Sequence, residues 1–324
     1  MHDSEVAYVP DQSASCVYAV VVTYFPDIAH LELQLRRLAE QTHRTVIVDN
    51  GSNLCVDKFL LESGLSDQVD VILQAENYGL AQAQNVGIEF ARAAGASHVV
   101  IFDQDSLPDE GMISRLLFAL ESLEAEGVRV AAVAPAYKDE ATSALSGFVR
   151  NSCFGYRRVT PLPGRSVAEA DFLISSGSLI PVSVLADVGL MDAALFIDHI
   201  DTEWCFRARY MGYRLFGVDG AVMLHSLGDR RVRFWFLRWR MVPYHSPFRY
   251  YYIYRNSFAL FRRNYMPLSW KFSDFSRNIR AFCFFALFSA QRKDVVRMMI
   301  RGASDGLRLR LGKLGSPEVP PRQQ

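Results

Sequence analysis

The run at 17–23, Val-Tyr-Ala-Val-Val-Val-Thr, constrains the fold more than any other stretch of the chain. Seven successive uncharged, mostly apolar residues leave a strand without a solvent face, so both of its sides must be covered. Pro26 closes the run, and helix and strand signals then alternate. Residues 28–40 carry Leu31, Leu35 and Leu38 at helical spacing, 45–49 read as a second strand, and Asn50-Gly51-Ser52 supplies turn chemistry. A third strand follows at 69–73, a helix of small residues at 80–94, a fourth strand at 97–102 ending in Asp103, an amphipathic helix at 110–124 and another strand at 128–134. This alternation predicts an α/β fold, a mainly parallel sheet with helices on both faces. In such sheets ligands gather beyond the carboxyl ends of the strands, where Thr23, Asp49 and Asp103 fall.

From about Tyr137 the pattern loosens into short strand-like pieces and Gly/Pro turns, then tightens into helices at 181–188 and 201–211. Past Gly228 the composition changes. Residues 228–263 hold nine arginines and twelve aromatics, and basic amphipathic helices are expected over 267–290 and 293–311, before a disordered tail at 315–324. The formal net charge of zero hides this split: residues 228–324 carry a net charge of +15 and the first 227 carry −15. Such asymmetry marks a segment that meets phosphates, nucleic acid or an anionic membrane. The longest uncharged apolar run near the end, 281–290, is half the roughly 20 residues of a bilayer span, so lying on a membrane fits better than crossing it. Residues 1–15 do not read as a signal peptide, and five scattered cysteines without a CxxC pair argue against a disulfide framework or a zinc site. A cytoplasmic location is expected.

Five features carry chemistry, and each has a plainer reading beside it. Asp103-Gln104-Asp105 aims two carboxylates the same way after an apolar strand, which suits Mg²⁺ or Mn²⁺ with substrate phosphate completing the ligands; a solvated loop would look similar. Asn77-Tyr78-Gly79 and the small residues through Gly87 would let backbone approach a nucleotide, or let a helix pack closely on the sheet. Asp49 is a candidate acceptor for a pyrimidine ring N–H, or the opening of an Asx-turn. Around the start of the helix near 201, Asp198, His199, Asp201, Glu203 and Arg207 crowd together. Their apolar flanks would leave one carboxylate poorly solvated and basic, although acids at a helix N-terminus are also favoured by the dipole. His225 ends a further apolar run, as a cap, a core residue or a ligand.

Together, Val20-Val-Val-Thr-Tyr-Phe-Pro26, Ile47-Val-Asp49-Asn-Gly-Ser52, Asn77-x-Gly79 through Asn85-x-Gly87, Asp103-Gln-Asp105, Asp201-Thr-Glu203-x-x-x-Arg207 and His225 resemble the inverting glycosyltransferases of family 2, which have the GT-A fold. Phe172-Leu-Ile-Ser-Ser-Gly177, the 195–203 segment and Arg249-Tyr-Tyr-Tyr-Ile-Tyr-Arg-Asn256 look most like bacterial rhamnosyltransferases that use dTDP-L-rhamnose. The resemblance implies a GT-A domain over 1–227, with a nucleotide-binding half at about 17–135 and an acceptor-side half at about 136–227, and a basic helical extension over 228–324. It further implies that Thr23 and Asp49 hold the pyrimidine nucleoside, with Tyr24, Asn77, Gly79 and Arg207 also contacting substrate. Asp103 would touch ribose or metal, Asp105 and His225 would bind Mg²⁺ or Mn²⁺, and Asp201 would deprotonate the acceptor hydroxyl. Family members often carry Glu-Asp where this chain has Ile200-Asp201, which keeps Asp198 and Glu203 open as bases. The implied acceptor is a saccharide or lipid-linked saccharide, met at an anionic cytoplasmic membrane surface; nucleic acid has no task in this reading. Two competing classes are a Mg²⁺-dependent HAD-type phosphatase, whose Asp-x-Asp usually follows the first strand, and a non-catalytic nucleotide-sugar-binding protein.

Overall fold

The computed structural model describes residues 15–52, 56–139, 145–152, 155–161, 165–225, 230–236 and 238–315; for 56–58, 139, 225, 230–236 and 238–244 it describes the main chain only. The elements run β1 (Val17–Thr23), α1 (Ile28–Ala39), β2 (Arg44–Asp49), α2 (Val56–Ser63), β3 (Val69–Leu73), α3 (Leu80–Ala93), β4 (His98–Asp103), β5 (Ser106–Pro108), α4 (Met112–Ala125) and β6 (Val130–Asp139). The chain continues with β7 (Phe148–Ser152), β8 (Gly155–Val159), β9 (Val167–Ala170), β10 (Leu179–Pro181), α5 (Val182–Val188), α6 (Ile200–Tyr210) and β11 (Arg214–His225). Then come β12 (Arg230–Phe236), β13 (Arg238–Tyr244), α7 (Pro247–Leu260), α8 (Leu268–Phe288) and α9 (Arg292–Leu307).

The sheet order is β3-β2-β1-β4-β10-β6-β11-β5, with β9 paired along β11. Strands β3, β2, β1 and β4 are mutually parallel, as are β6 and β11, while β10 runs antiparallel between the two groups. Every residue of β1 is buried, and alternate side chains serve two cores, as a strand without a polar face requires. Val17, Ala19 and Val21 pack with α1 and α4, whose buried residues include Leu31, Leu35, Leu116 and Leu120. Tyr18, Val20 and Val22 pack with α3, α5 and α6. The small residues of α3 act in that packing: a Cβ on Gly87 would lie 2.3 Å from Val20 Cγ1.

The extension departs from the expected run of helices, because it begins as the antiparallel hairpin β12–β13. The tyrosines of α7 are drawn into the core rather than left at the surface. Tyr250, Tyr251, Tyr252 and Tyr254 are buried, packed with Phe285 of α8, Val295 and Met299 of α9 and Phe196 just before α6. Tertiary packing explains these tyrosines without a membrane. The side chains of Trp235 and Trp239, and the tail 316–324, lie outside the described residues.

Candidate active site

The carboxyl ends of β1, β2 and β4 meet where the sheet rule places a ligand. Thr23 and Asp49 are buried side by side, with Thr23 Oγ1 donating to Asp49 Oδ1 at 3.1 Å. Asp49 also accepts from Ser52 Oγ at 2.6 Å and Ser52 N at 2.9 Å, so it closes the Asx-turn that shapes the loop after β2. Asn50 Nδ2 donates to Asn77 Oδ1 and Tyr78 N donates to Asn50 Oδ1, which ties that loop to residues 77–79. Gly79, at φ +94°, permits a close approach between this loop and the segment entering α6: a Cβ there would lie 2.6 Å from the Phe196 ring. Tyr24, Phe25 and Tyr78 are exposed at the rim, with the Tyr24 and Phe25 rings edge to face.

The Asp-x-Asp turn is held from three directions. Gln34 of α1, fully buried, donates to the carbonyls of Asp103 (2.8 Å) and Ser106. Gln104 accepts from Tyr24 N at 2.7 Å and donates back to Tyr24 O at 3.2 Å. Ser176 Oγ accepts from Asp103 N at 3.1 Å and donates to Ser106 Oγ at 2.7 Å. Sequence reasoning missed these three supports. Gln34 carried a signal, since it interrupts the apolar stripe of Leu31, Leu35 and Leu38 on α1. Strand pairing sets His225 of β11 opposite Ser106 of β5, one residue beyond Asp105. Among the described residues no three His, Cys, Asp or Glu side chains gather at a metal position, and the His225 side chain lies outside them.

The segment entering α6 is bent: Phe196, Asp198 and His199 all have φ near +60°. Three residues of α7 hold it. Asn256 Nδ2 donates to the carbonyls of Leu195, Ile197 and Asp198, Arg255 donates to Leu195 O at 2.7 Å, and Arg249 pairs with Asp198 at 3.2 Å. His199 Nε2 lies 3.1 Å from Ser257 Oγ and 3.3 Å from Arg277 Nη2, and burial lowers the pKa of this imidazole, which keeps it neutral.

The three candidate carboxylates now separate. Glu203 is 1% exposed, paired through both oxygens to Arg207 at 2.9 Å and bonded by the Tyr265 hydroxyl. Arg207 also donates to Val188 O and Leu190 O, so its guanidinium is a strut within the protein rather than a group facing a ligand. Asp198 is held by Arg249. Asp201 is partly buried and accepts only from Thr202, at N (2.7 Å) and Oγ1 (3.3 Å); no described cation pairs with it. Burial, and secondarily the charge of Asp198, raise its pKa above the usual carboxylate range, although the Thr202 bonds oppose that. It lines a small void with Leu173, Ser175, Ser178 and Cys205, so the 173–178 loop that supports Asp103 also borders Asp201. Tyr156 of β8 lies within electrostatic reach of Asp201, and burial pushes its hydroxyl up to about 12, keeping it protonated.

The mainly parallel sheet thus presents Asp-x-Asp at a strand end, and among the described residues no arginine pairs with Asp201. Residues 19–167 match the family described as Glycosyl transferase family 2. The chain is 34% identical over 257 residues to dTDP-rhamnosyl transferase RfbF of Shigella flexneri, covering 78% of this chain and 82% of that protein. The chain belongs to glycosyl transferase family 2. Among solved structures it resembles the Pyrobaculum calidifontis mannosyltransferase PcManGT in complex with GDP-Man and Mn²⁺ (TM-score 0.53, 16% identity, 92% of this chain and 89% of that one). It also resembles residues 1–349 of S. aureus TarS in complex with UDP-GlcNAc (TM-score 0.56, 14% identity, 90% and 80%). GalNAc-T7 with UDP, GalNAc and Mn²⁺ matches at TM-score 0.55 and 16% identity over 67% of this chain, which spans 44% of that one. Neither the phosphatase nor the non-catalytic reading gains support from these likenesses.

Proposed function

We propose that the protein transfers L-rhamnose from dTDP-L-rhamnose, with inversion, to a hydroxyl of a cell-surface saccharide, a lipid-linked oligosaccharide or a glycolipid. The observation that carries the chemistry is the contrast among three acids: Asp198 and Glu203 are held by arginines, and Asp201 is left basic at the mouth of α6. The 34% identity to a dTDP-rhamnosyl transferase supports the donor. Asp201 takes the acceptor proton as the hydroxyl oxygen attacks the anomeric carbon. The bond from that carbon to the diphosphate breaks, and its electron pair leaves with dTDP. The loops at 49–52 and 77–79, with Thr23 and Tyr24, frame the nucleoside, and Asp103 meets the ribose.

Two carboxylates on a braced turn are hard oxygen donors of the kind that Mg²⁺ or Mn²⁺ takes, and strand pairing brings His225, a borderline nitrogen donor, opposite Ser106, the next residue after Asp105. Asp105 and His225 would hold the ion, with Asp103 beside them, and it would supply charge neutralisation on the departing diphosphate. The basic extension brings the enzyme to the anionic inner face of the cell membrane, where a lipid-linked acceptor is met.

Asp201→Asn tests this directly. The amide keeps the shape and loses proton acceptance, so titration calorimetry should find donor affinity unchanged while transfer falls by orders of magnitude. Normal transfer by this variant would assign the base elsewhere.

A further inference from the structure

Helix α8 is amphipathic in the wrong sense for a soluble surface helix. Its inward face carries Ser273, Asp274 and Asn278 alongside Trp270 and Phe285, all buried. Those polar groups are anchored: Ser273 Oγ donates to Ser152 O, Asn278 Nδ2 to Asp274 Oδ2, and the Tyr254 hydroxyl to Asn278 O, while Asp274 pairs with Arg277. The outward face is apolar. Leu268, Phe272, Phe275 and Ile279 follow one another at i, i+4, i+7 and i+11, a single stripe along the helix, and are 81%, 61%, 44% and 48% exposed. Exposed Cys283 and Leu287 continue the same side toward the C-terminus. A contiguous apolar face of this kind marks a surface that is covered in use.

The charge of the same stretch of chain selects the cover. Residues 261–301 hold nine arginines and lysines against two acids, one of them the buried Asp274. A second copy docked on this face about a two-fold axis would bring two strongly positive rims together, whereas an anionic leaflet matches both the stripe and its rim. No helix of the described residues is long and apolar enough to cross a membrane, so the stripe lies along the interface.

We propose that α8 is the membrane-docking element, with Leu268, Phe272, Phe275 and Ile279 set among the acyl chains and the surrounding arginines and lysines at the level of the lipid phosphates. This rests on the reading of a membrane-facing enzyme given above and names its contact surface. The tyrosines of α7 take no part in it, since the fold buries them.

The test is flotation of the full chain with phosphatidylcholine vesicles containing or lacking phosphatidylglycerol. Wild-type protein should float with anionic vesicles, much less with neutral ones, and detach as salt is raised. Leu268→Glu, and separately Phe272→Ser with Ile279→Ser, should each lower the bound fraction at least tenfold while leaving the melting temperature and the release of dTDP from dTDP-rhamnose unchanged. Leu61→Ser on α2, 75% exposed, should have no effect on binding. Flotation that survives both α8 variants would overturn α8 as the contact and leave membrane attachment standing. Flotation of nothing would overturn both. A dimer in solution that these variants dissolve, without vesicle binding, would assign the stripe to self-association instead.

Discussion

Glu203→Gln separates a structural acid from a catalytic one. Glu203 is 1% exposed, and its oxygens receive Arg207 Nε and Nη2 at 2.9 Å each, with the Tyr265 hydroxyl on Oε1. Glutamine of nearly the same shape would set an amide NH₂ against one of those guanidinium donors and leave a largely buried cation without its counter-charge. Removing one partner of a buried ion pair costs about 3–5 kcal/mol, and the Arg207 side chain, 20% exposed, places this pair toward the lower end. At roughly 2–4 °C per kcal/mol for domains of one to two hundred residues or more, the melting temperature should fall by about 10 °C. Differential scanning fluorimetry reads that shift, and transfer assayed well below the new melting point should keep the wild-type order of magnitude in kcat. A variant that melts where the wild type does and transfers nothing would refute the reasoning and make Glu203 the base.

Two further outcomes follow from the site. Because burial and the Asp198 charge raise the Asp201 carboxyl, its charged form destabilises the fold, and the base is active only above that raised value; kcat should therefore climb with pH through it and then level off. The same sign makes Asp201→Asn more stable than wild type at neutral pH, an advantage that disappears below the ordinary carboxylate pKa, as melting curves across pH would show; a kcat flat from acid to neutral pH would contradict the assignment. Asp105→Ala should lower turnover by orders of magnitude without changing the melting temperature, and excess EDTA should do the same to the wild type; full activity in EDTA would remove the metal from the proposal.

The first half of the fold was legible because its elements have no alternative use. A strand with no charged residue from 17 to 23 forms β1 over those residues, and the leucines of α1 fall inward. Strand β10 was not legible, since three residues inserted antiparallel between β4 and β6 are defined by their pairing and by no pattern of their own. The hairpin β12–β13 had a signal in the alternation of Arg231, Val232, Arg233 and Phe234, which the density of arginines and aromatics obscured. Thr23, Asp49, Asn77 and Gly79 do converge, but as a hydrogen-bonded frame of loops that spacing could not show. For Arg207 the sequence held the answer: glutamate followed by arginine at i+4 is an ion pair before it is a binding site. The clamp of Arg249, Arg255 and Asn256 on the 195–198 segment joins residues more than fifty apart, so only the fold shows that the extension sets the geometry beside Asp201.

The most direct measurement of rhamnosyl transfer is mass spectrometry of purified protein incubated with Mg²⁺ and, separately, dTDP-L-rhamnose, UDP-glucose, UDP-N-acetylglucosamine and GDP-mannose. Slow water-dependent release of dTDP from dTDP-L-rhamnose, lost in Asp105→Ala, is the expected result, with the other donors left intact. Turnover of a UDP- or GDP-sugar in preference to dTDP-L-rhamnose would contradict the proposed donor.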